Sequence, residues 1–391
     1  MNNIKLLNIK ILYSFLVFIS FILMLFYPLF SFCFAFSTLV LFSKISKRIF
    51  TSILYFISTL SLLIIYASRD YKDEMEHDLS LYFNIFQNFI NDNYSDFFFF
   101  GNGLEIGWTS LYAVVSKLFP GISAIGLAII NSLFCIILLF IWIRCYIYET
   151  VYYKNQAFVV GLIVLFLSMV TFGYLQRQSL ATIFLLFMIT SKNKKLFFLF
   201  LATIFHSTSI ILGLLYIILM KIKINNIKVI LLFMLFIFAR LIFYNFVSFI
   251  ANNNIDFFIF NKVYYYISDE SAIASKRFLI LILPLFVLSF ISKSKNMGSW
   301  KSIIQYSCIS YIVLLGIPLL SERLNFILLF IYGYFIYLVV PKKFYFVLYF
   351  FIFLYLIFFF CEKSNLLVDL NLFWQRYPMY SFTPFYYLEI L

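Results

Sequence analysis

The sequence predicts an all-α, polytopic integral membrane protein with about 11 transmembrane helices (range 10–14) and a re-entrant or broken helix around His206. Three observations carry this prediction. First, hydrophobic residues are 64% of the 391 and charged residues only 12%, about half the charge that a soluble domain carries. Second, the apolar residues lie in continuous runs, many near the roughly 17–25 residues that cross a bilayer, without the alternation of a β-barrel strand. Third, the 29 Lys and Arg outnumber the 16 Asp and Glu. The cations gather at the ends of apolar runs, as cytoplasmic flanks do, and form no basic patch interleaved with a soluble fold, so no nucleic-acid partner is expected. A soluble globular domain, a disordered chain and a disulfide-built secreted domain are excluded on the same grounds.

The candidate spans are residues 11–27, 29–43, 50–67, 122–143, 156–172, 174–190, 228–250, 278–292, 299–320, 324–340 and 344–361. The first is read as a retained span, because no small-residue cleavage site follows it. Residues 11–43 are too long for one helix, and Tyr27-Pro28 splits them into a tight hairpin, since proline removes a backbone donor. Residues 106–119 are too short to span, contain Lys117 and stop at Pro120-Gly121; they read as an interfacial or re-entrant helix. Residues 196–220 are long enough for one span but are flanked on both sides by lysines: Lys192, Lys194 and Lys195 before, Lys221, Lys223 and Lys228 after. A single crossing would put one cluster on the wrong side. Two half-helices meeting near His206-Ser207-Thr208-Ser209 keep both inside. Irregular backbone at that depth requires burial in protein or a wet cavity, so a polar cavity is expected beside His206.

With the N-terminus inside, 18 of the 29 Lys and Arg fall on the cytoplasmic side and 15 of the 16 acids on the outer side. Residues 1–391 are then a single transmembrane domain with outer loops 68–121 and 251–277 and an outer tail, 362–391. A reporter fused at Lys223 should give a cytoplasmic signal; an outer-face signal would refute re-entry.

Five cysteines without a CxxC pair or a Cys/His cluster argue against a zinc or disulfide framework, and no metal or cofactor is expected. The absence of a Walker motif removes the machinery for a nucleotide-driven reaction.

The residues that could carry chemistry collect on the outer side. Arg69 opens an acidic loop that ends at Asp78. Asp78, Tyr82 and Phe86, four residues apart, share a helix face, although Asp78 also suits an N-cap. Glu105 opens the short helix, where the helix N-terminus favours a carboxylate, and could serve as acid, base or sugar-hydroxyl ligand. Arg177 and Gln178 sit in a polar Gln-Arg-Gln-Ser run inside a long apolar stretch, which costs several kcal/mol unless partnered. Arginine is the preferred partner for phosphate because of its planar fork of donors. His206 stands alone mid-run and could act as a general base near neutral pH or be a satisfied buried histidine. Arg323 follows Glu322 at the start of a late span, where a boundary ion pair is the competing reading. Arg240 lies deep and needs a partner. Several arginines suit a lipid-linked pyrophosphate, and carboxylates with aromatics suit a sugar; glycosyl transfer from a polyprenyl-pyrophosphate donor would use both.

At four places the chain resembles the EpsG-like, O-antigen polymerase (Wzy) family. They are Arg69 with Asp78-Leu-Ser-Leu-Tyr82-Phe-Asn-Ile-Phe86; Glu105-Ile-Gly107 opening a helix; Arg177-Gln178-Ser-Leu-Ala181, a basic break, then Phe205-His206-Ser207; and Arg323 near a late span. Together they cover about residues 60–340. The chain departs from the family where it has Glu76-His77 ahead of Asp78 and Ser179 after Arg177-Gln178, positions at which the family usually or often has glycine.

The resemblance implies a multi-pass protein of the bacterial inner (cytoplasmic) membrane with a periplasmic active face. It would be a glycosyltransferase that polymerises undecaprenyl-pyrophosphate-linked oligosaccharide units, one lipid-linked glycan as donor and another as acceptor. Membrane lipid and a chain-length regulator protein are candidate partners. Arg69, Arg177 and Arg323 are the expected pyrophosphate-binding residues. Asp78, Glu105 and His206 are the base or sugar-binding candidates, and Tyr82 and Gln178 the substrate contacts. Two other readings compete. An O-antigen ligase or another polyprenyl-phosphate-sugar glycosyltransferase typically has a larger late outer loop than 251–277. A flippase of lipid-linked oligosaccharide should show repeat halves and charge along a central path.

Overall fold

A computed structural model describes residues 2–67, 78–167, 169–221, 231–238, 240–242, 245, 276–292, 297–298, 300–315 and 320–363. Every regular element among them is helical. Three helices are long and apolar enough to cross a membrane: Arg48–Ala67, Ala124–Thr150 and Lys342–Cys361. The predicted span 11–27 falls on helix Asn2–Phe26, and the other predicted spans that fall on described residues are built from shorter helices.

The predicted break at Tyr27-Pro28 separates helices Asn2–Phe26 and Pro28–Leu41. The pair folds back as a hairpin: the Tyr13 hydroxyl donates to the Phe42 carbonyl at 2.5 Å and Ser31 Oγ to the Ser20 carbonyl at 2.7 Å. Proline occupies the first turn of the second helix, where its missing N–H leaves no donor unpaired. Helix Arg48–Ala67 joins this layer through Ser61 Oγ, which donates to Ser31 Oγ at 3.0 Å. Buried hydroxyls here return their proton to the preceding turn, as Ser58 does to Leu54 and Thr59 to Tyr55. That is how short polar side chains are tolerated where water is absent.

Helix Tyr153–Leu165 is buried nearly all round. A Cβ on Gly161 would come within 3.1 Å of Val40 Cγ2 and 3.4 Å of Leu39 Cβ, so the helix backbones meet there more closely than any side chain allows. Arg48 ties the ends of these helices together. It donates to the Tyr148 carbonyl at 2.5 Å and to Gln156 Oε1 at 3.2 Å, and pairs with Glu149 at 3.5 Å. Helix Tyr345–Lys363 has the opposite character: Phe346, Phe350, Phe351, Phe353 and Phe358 are all exposed. An apolar helix that hides so little of itself has hydrocarbon as its solvent.

The chain divides into two compact units, Met1–Ile211 with Val347–Leu391, and Leu212–Phe346. In the second, helices Lys276–Ile291 and Trp300–Leu314 carry the short helices that follow. The Ser310 hydroxyl donates to Asn325 Oδ1 at 2.6 Å, Asn325 Nδ2 to the Ser321 carbonyl at 2.9 Å, and Tyr332 to the Leu281 carbonyl at 2.6 Å. Arg240, whose partner the sequence left open, donates to the Val313 carbonyl at 3.1 Å.

The break predicted near His206 is present. Helix Lys195–Phe205 ends one residue before His206 and helix Ser209–Lys221 starts three residues after it. At 1.5 Å per residue each half is about 16–20 Å long, short of a bilayer core of roughly 30 Å.

Candidate active site

The site forms where three distant stretches meet inside the first unit: the start of helix Ile106–Leu118, the start of helix Gln176–Thr190 and the break after Phe205. Two short 3-10 turns, Ser95–Phe98 and Phe100–Gly103, lead into it. Gly101 has φ +59, and a Cβ there would lie 2.6 Å from Glu105 Cγ. The turn can fold over Glu105 only because this residue is glycine, which meets both the left-handed backbone and the missing volume.

Glu105 occupies the N-cap position of its helix, but its side chain makes no capping bond. It crosses instead to the other two stretches. Oε2 accepts from Arg177 Nη1 at 2.5 Å. Oε1 accepts from the Ser207 backbone N–H at 2.9 Å and from Ser207 Oγ at 2.8 Å, and lies 3.2 Å from His206 Nδ1. Gly107, two residues on, permits this reach: its Cβ would lie 3.1 Å from the Ile204 carbonyl oxygen, so the short helix rests directly on the backbone before the break.

Arg177 is held from three directions. Nε donates to the Tyr82 hydroxyl at 3.1 Å and Nη1 to Glu105. The guanidinium lies over the Phe100 ring at 4.2 Å and the Tyr82 ring at 5.8 Å, within cation–π range. Tyr82 in turn packs on Trp108 and Tyr112, with centroids 5.6 and 6.4 Å apart. The Tyr112 hydroxyl donates to Gln176 Oε1 at 2.7 Å, pinning the residue beside Arg177. The arginine predicted to need a partner therefore has a carboxylate, a phenol and two rings. About a fifth of its side chain (22%) still reaches the surface.

Glu105 is 2% exposed. Burial by itself would raise its pKa. The His206 hydrogen bond, the Arg177 charge and the Ser207 N–H outweigh burial and hold the carboxyl well below its ordinary 4.5. A carboxyl with a lowered folded-state pKa stabilises the fold fully above its unfolded value and loses that contribution as pH falls through the folded one. The Glu105 contribution to the difference in thermal stability between wild type and Glu105→Gln should therefore shrink as pH falls below about 4. Melting curves of both proteins across that range check it.

Of the residues expected from sequence, Tyr82, Glu105, Arg177 and His206 come together here. Gln178 is buried on the same helix turn as Arg177, and its backbone carbonyl accepts from Thr182 Oγ1 at 2.8 Å. Asp78 is the first residue of helix Asp78–Ile90, where the sequence placed it, but its side chain lies outside the described residues, as does the whole of Arg69. Arg323 is part of helix Leu320–Leu324 in the second unit. Sequence reasoning did not single out Ser207, Phe100 or Tyr112 for the site. The Gly101-Asn102-Gly103 turn just ahead of Glu105 was the available signal for Phe100, since paired glycines mark a tight approach of backbone to something.

A family model described as the EpsG family matches residues 52–382. No curated protein and no solved structure matches the chain.

Proposed function

The chain belongs to the EpsG family, and from that premise we propose that it is a membrane polysaccharide polymerase that joins undecaprenyl-pyrophosphate-linked oligosaccharide units by glycosyl transfer. The observation that carries the reading is the junction of Arg177, Glu105 and His206. It combines a cation for a pyrophosphate and a base for a hydroxyl on a bed of buried aromatic rings, at the ends of helices in an apolar protein. Glycosyl transfer needs the first two together: negative charge grows on the leaving pyrophosphate while the acceptor oxygen loses its proton.

The junction supports a role for Arg177, whose guanidinium would be presented to the leaving group, held by Phe100, Tyr82 and Glu105. Arg323 and Arg69 are the further arginines assigned to the donor and acceptor pyrophosphates, and Asp78 is a sugar ligand or base. Tyr82 and Gln178, expected from sequence as substrate contacts, are buried, so Tyr82 serves instead by holding Arg177. The reaction takes place at the periplasmic face of the bacterial inner membrane, where lipid-linked units await transfer, and a chain-length regulator is the expected partner.

A deletion strain tests the class of activity. Loss of a polymerase leaves surface glycolipid capped by one unit. Loss of a ligase leaves none capped, and loss of a flippase traps the lipid-linked unit inside. A single-unit cap supports the proposal, and either other phenotype overturns it. In a purified reaction with a synthetic lipid-linked unit, His206→Ala should lower the rate at least about 100-fold if His206 takes the acceptor proton.

A further inference from the structure

Resting on the polymerase reading, we propose that Glu105 is a positioning residue: one carboxylate orients His206 for proton transfer with one oxygen and holds Arg177 against the leaving group with the other. The division of labour is visible in the atoms. Oε1 takes His206 Nδ1, the Ser207 N–H and the Ser207 hydroxyl, and Oε2 takes Arg177. With three donors on Oε1 and the Arg177 charge paired to Oε2, the carboxylate is a weak base, so it is ill suited to take the acceptor proton itself.

An ionised carboxylate only accepts hydrogen bonds. The His206 nitrogen facing it must therefore carry the proton. Neutral imidazole has one N–H, so a proton on Nδ1 makes Nε2 the accepting nitrogen. The Ser207 backbone N–H and hydroxyl bind the same oxygen one residue along the chain, which fixes the backbone of the break beside the carboxylate. Glu105, ahead of helix Ile106–Leu118, faces His206, and Arg177, at the start of helix Gln176–Thr190, pairs with the other oxygen of that carboxylate.

In the transfer step the acceptor hydroxyl gives its proton to His206 Nε2 and its oxygen forms a bond to the anomeric carbon. The bond from that carbon to the pyrophosphate oxygen breaks, and its electron pair leaves on the pyrophosphate beside Arg177. His206 becomes an imidazolium whose Nδ1–H points at the Glu105 charge, and it then passes the proton to the released pyrophosphate or to water. One carboxylate thus stabilises the cation formed on His206 and fixes the cation that receives the leaving group.

The chain has two histidines, so His77→Gln leaves His206 as the single imidazole. Nitrogen-15 spectra of the full-length His77→Gln protein in lipid nanodiscs report the tautomer directly, independent of activity. The proposal expects Nδ1 protonated and Nε2 unprotonated at neutral pH. In the added Glu105→Gln variant the signals should move toward the other tautomer or a mixture. The same tautomer in both proteins overturns it.

The kinetic arm uses a synthetic polyprenyl-pyrophosphate-linked unit in the same background. Glu105→Gln should lower the rate about 10²–10⁴-fold, as loss of an orienting carboxylate behind a catalytic histidine does elsewhere, and move the acid limb of the pH profile to lower pH. Adding Glu105→Gln to His206→Ala should cost little more than His206→Ala alone, because groups acting as a unit are not additive. Glu105→Asp, which keeps the charge, should recover part of the rate. Full additivity, or an unshifted profile, overturns the positioning role. Absence of any polymer from the wild-type protein would instead remove the polymerase reading, leaving the tautomer spectra to decide whether Glu105 orients His206.

Discussion

Arg177→Lys should stop chain growth while the protein accumulates in the membrane at its normal level. Lysine keeps the charge but offers a single ammonium on a flexible stem. Arg177 spreads its donors over two partners in different directions, Nε to Tyr82 and Nη1 to Glu105, and lays its plane 4.2 Å over Phe100. An ammonium can pair with Glu105, so the buried carboxylate keeps a counter-ion and the fold survives. It cannot pair with Glu105, reach Tyr82 and stack on a ring at once, and it would face the leaving group from the wrong place. Loss of one well-placed donor at a developing negative charge costs about 10²–10³ in rate, and polymer yield should fall at least that far. Arg177→Ala is a different experiment: it strands a buried carboxylate, which costs about 3–5 kcal/mol of stability, and should lower protein level as well. Wild-type chain lengths in Arg177→Lys would remove Arg177 from the reaction.

Gly173→Val, by contrast, should cost folded protein. Gly173 lies in helix Met169–Tyr174, just ahead of the turn that delivers Arg177. A Cβ there would stand 1.8 Å from the Tyr66 hydroxyl and 2.3 Å from the carbon that bears it. Tyr66 is itself buried, at 3% exposure, so its ring has little room to swing away. Overpacking of a tight core costs about 1–3 kcal/mol for ordinary insertions, and an overlap this deep should reach the upper end or beyond. Detergent melting curves should show a lower midpoint for Gly173→Ala and a still lower one, or no folded protein, for Gly173→Val. Tyr66→Leu combined with Gly173→Ala should recover most of the loss, because the clash is with one ring. Equal midpoints for wild type and Gly173→Val would show that the two stretches do not pack this closely.

Much of the architecture is legible in the sequence alone, and the reasons differ by element. The break at Tyr27-Pro28 is legible because proline lacks an N–H. The break at His206 is legible because lysines flank both ends of a stretch that would otherwise be a single helix. The short helix Ile106–Leu118 is legible because Pro120-Gly121 stops it. Residues 324–340 read as one apolar span, yet they form helices Phe326–Phe330 and Tyr332–Val339. Hydropathy registers the apolar run but not the turn at Ile331, where no proline or glycine marks it. Glu105 was legible as a carboxylate at a helix start. Its use was not, since the capping geometry that justified its position is not the one it adopts.

The sequence by itself determined the medium and the scarce parts: a chain too poor in charge to live in water, one arginine in an apolar run that must have a partner, and one histidine at a forced break. Each is a property of a local segment, where composition and the expense of burying a polar group suffice. Only the tertiary structure decided which partner each receives. Glu105 meets Arg177 across 72 residues and Ser207 across 102, and those meetings are helped by Gly101, where a Cβ would stand 2.6 Å from Glu105 Cγ, and by Gly107, where one would crowd the Ile204 backbone at 3.1 Å. Hydrogen bonds form only within about 3 Å and near alignment, so partnership is fixed by packing at that scale, which no pattern of hydrophobic and polar residues along one segment encodes.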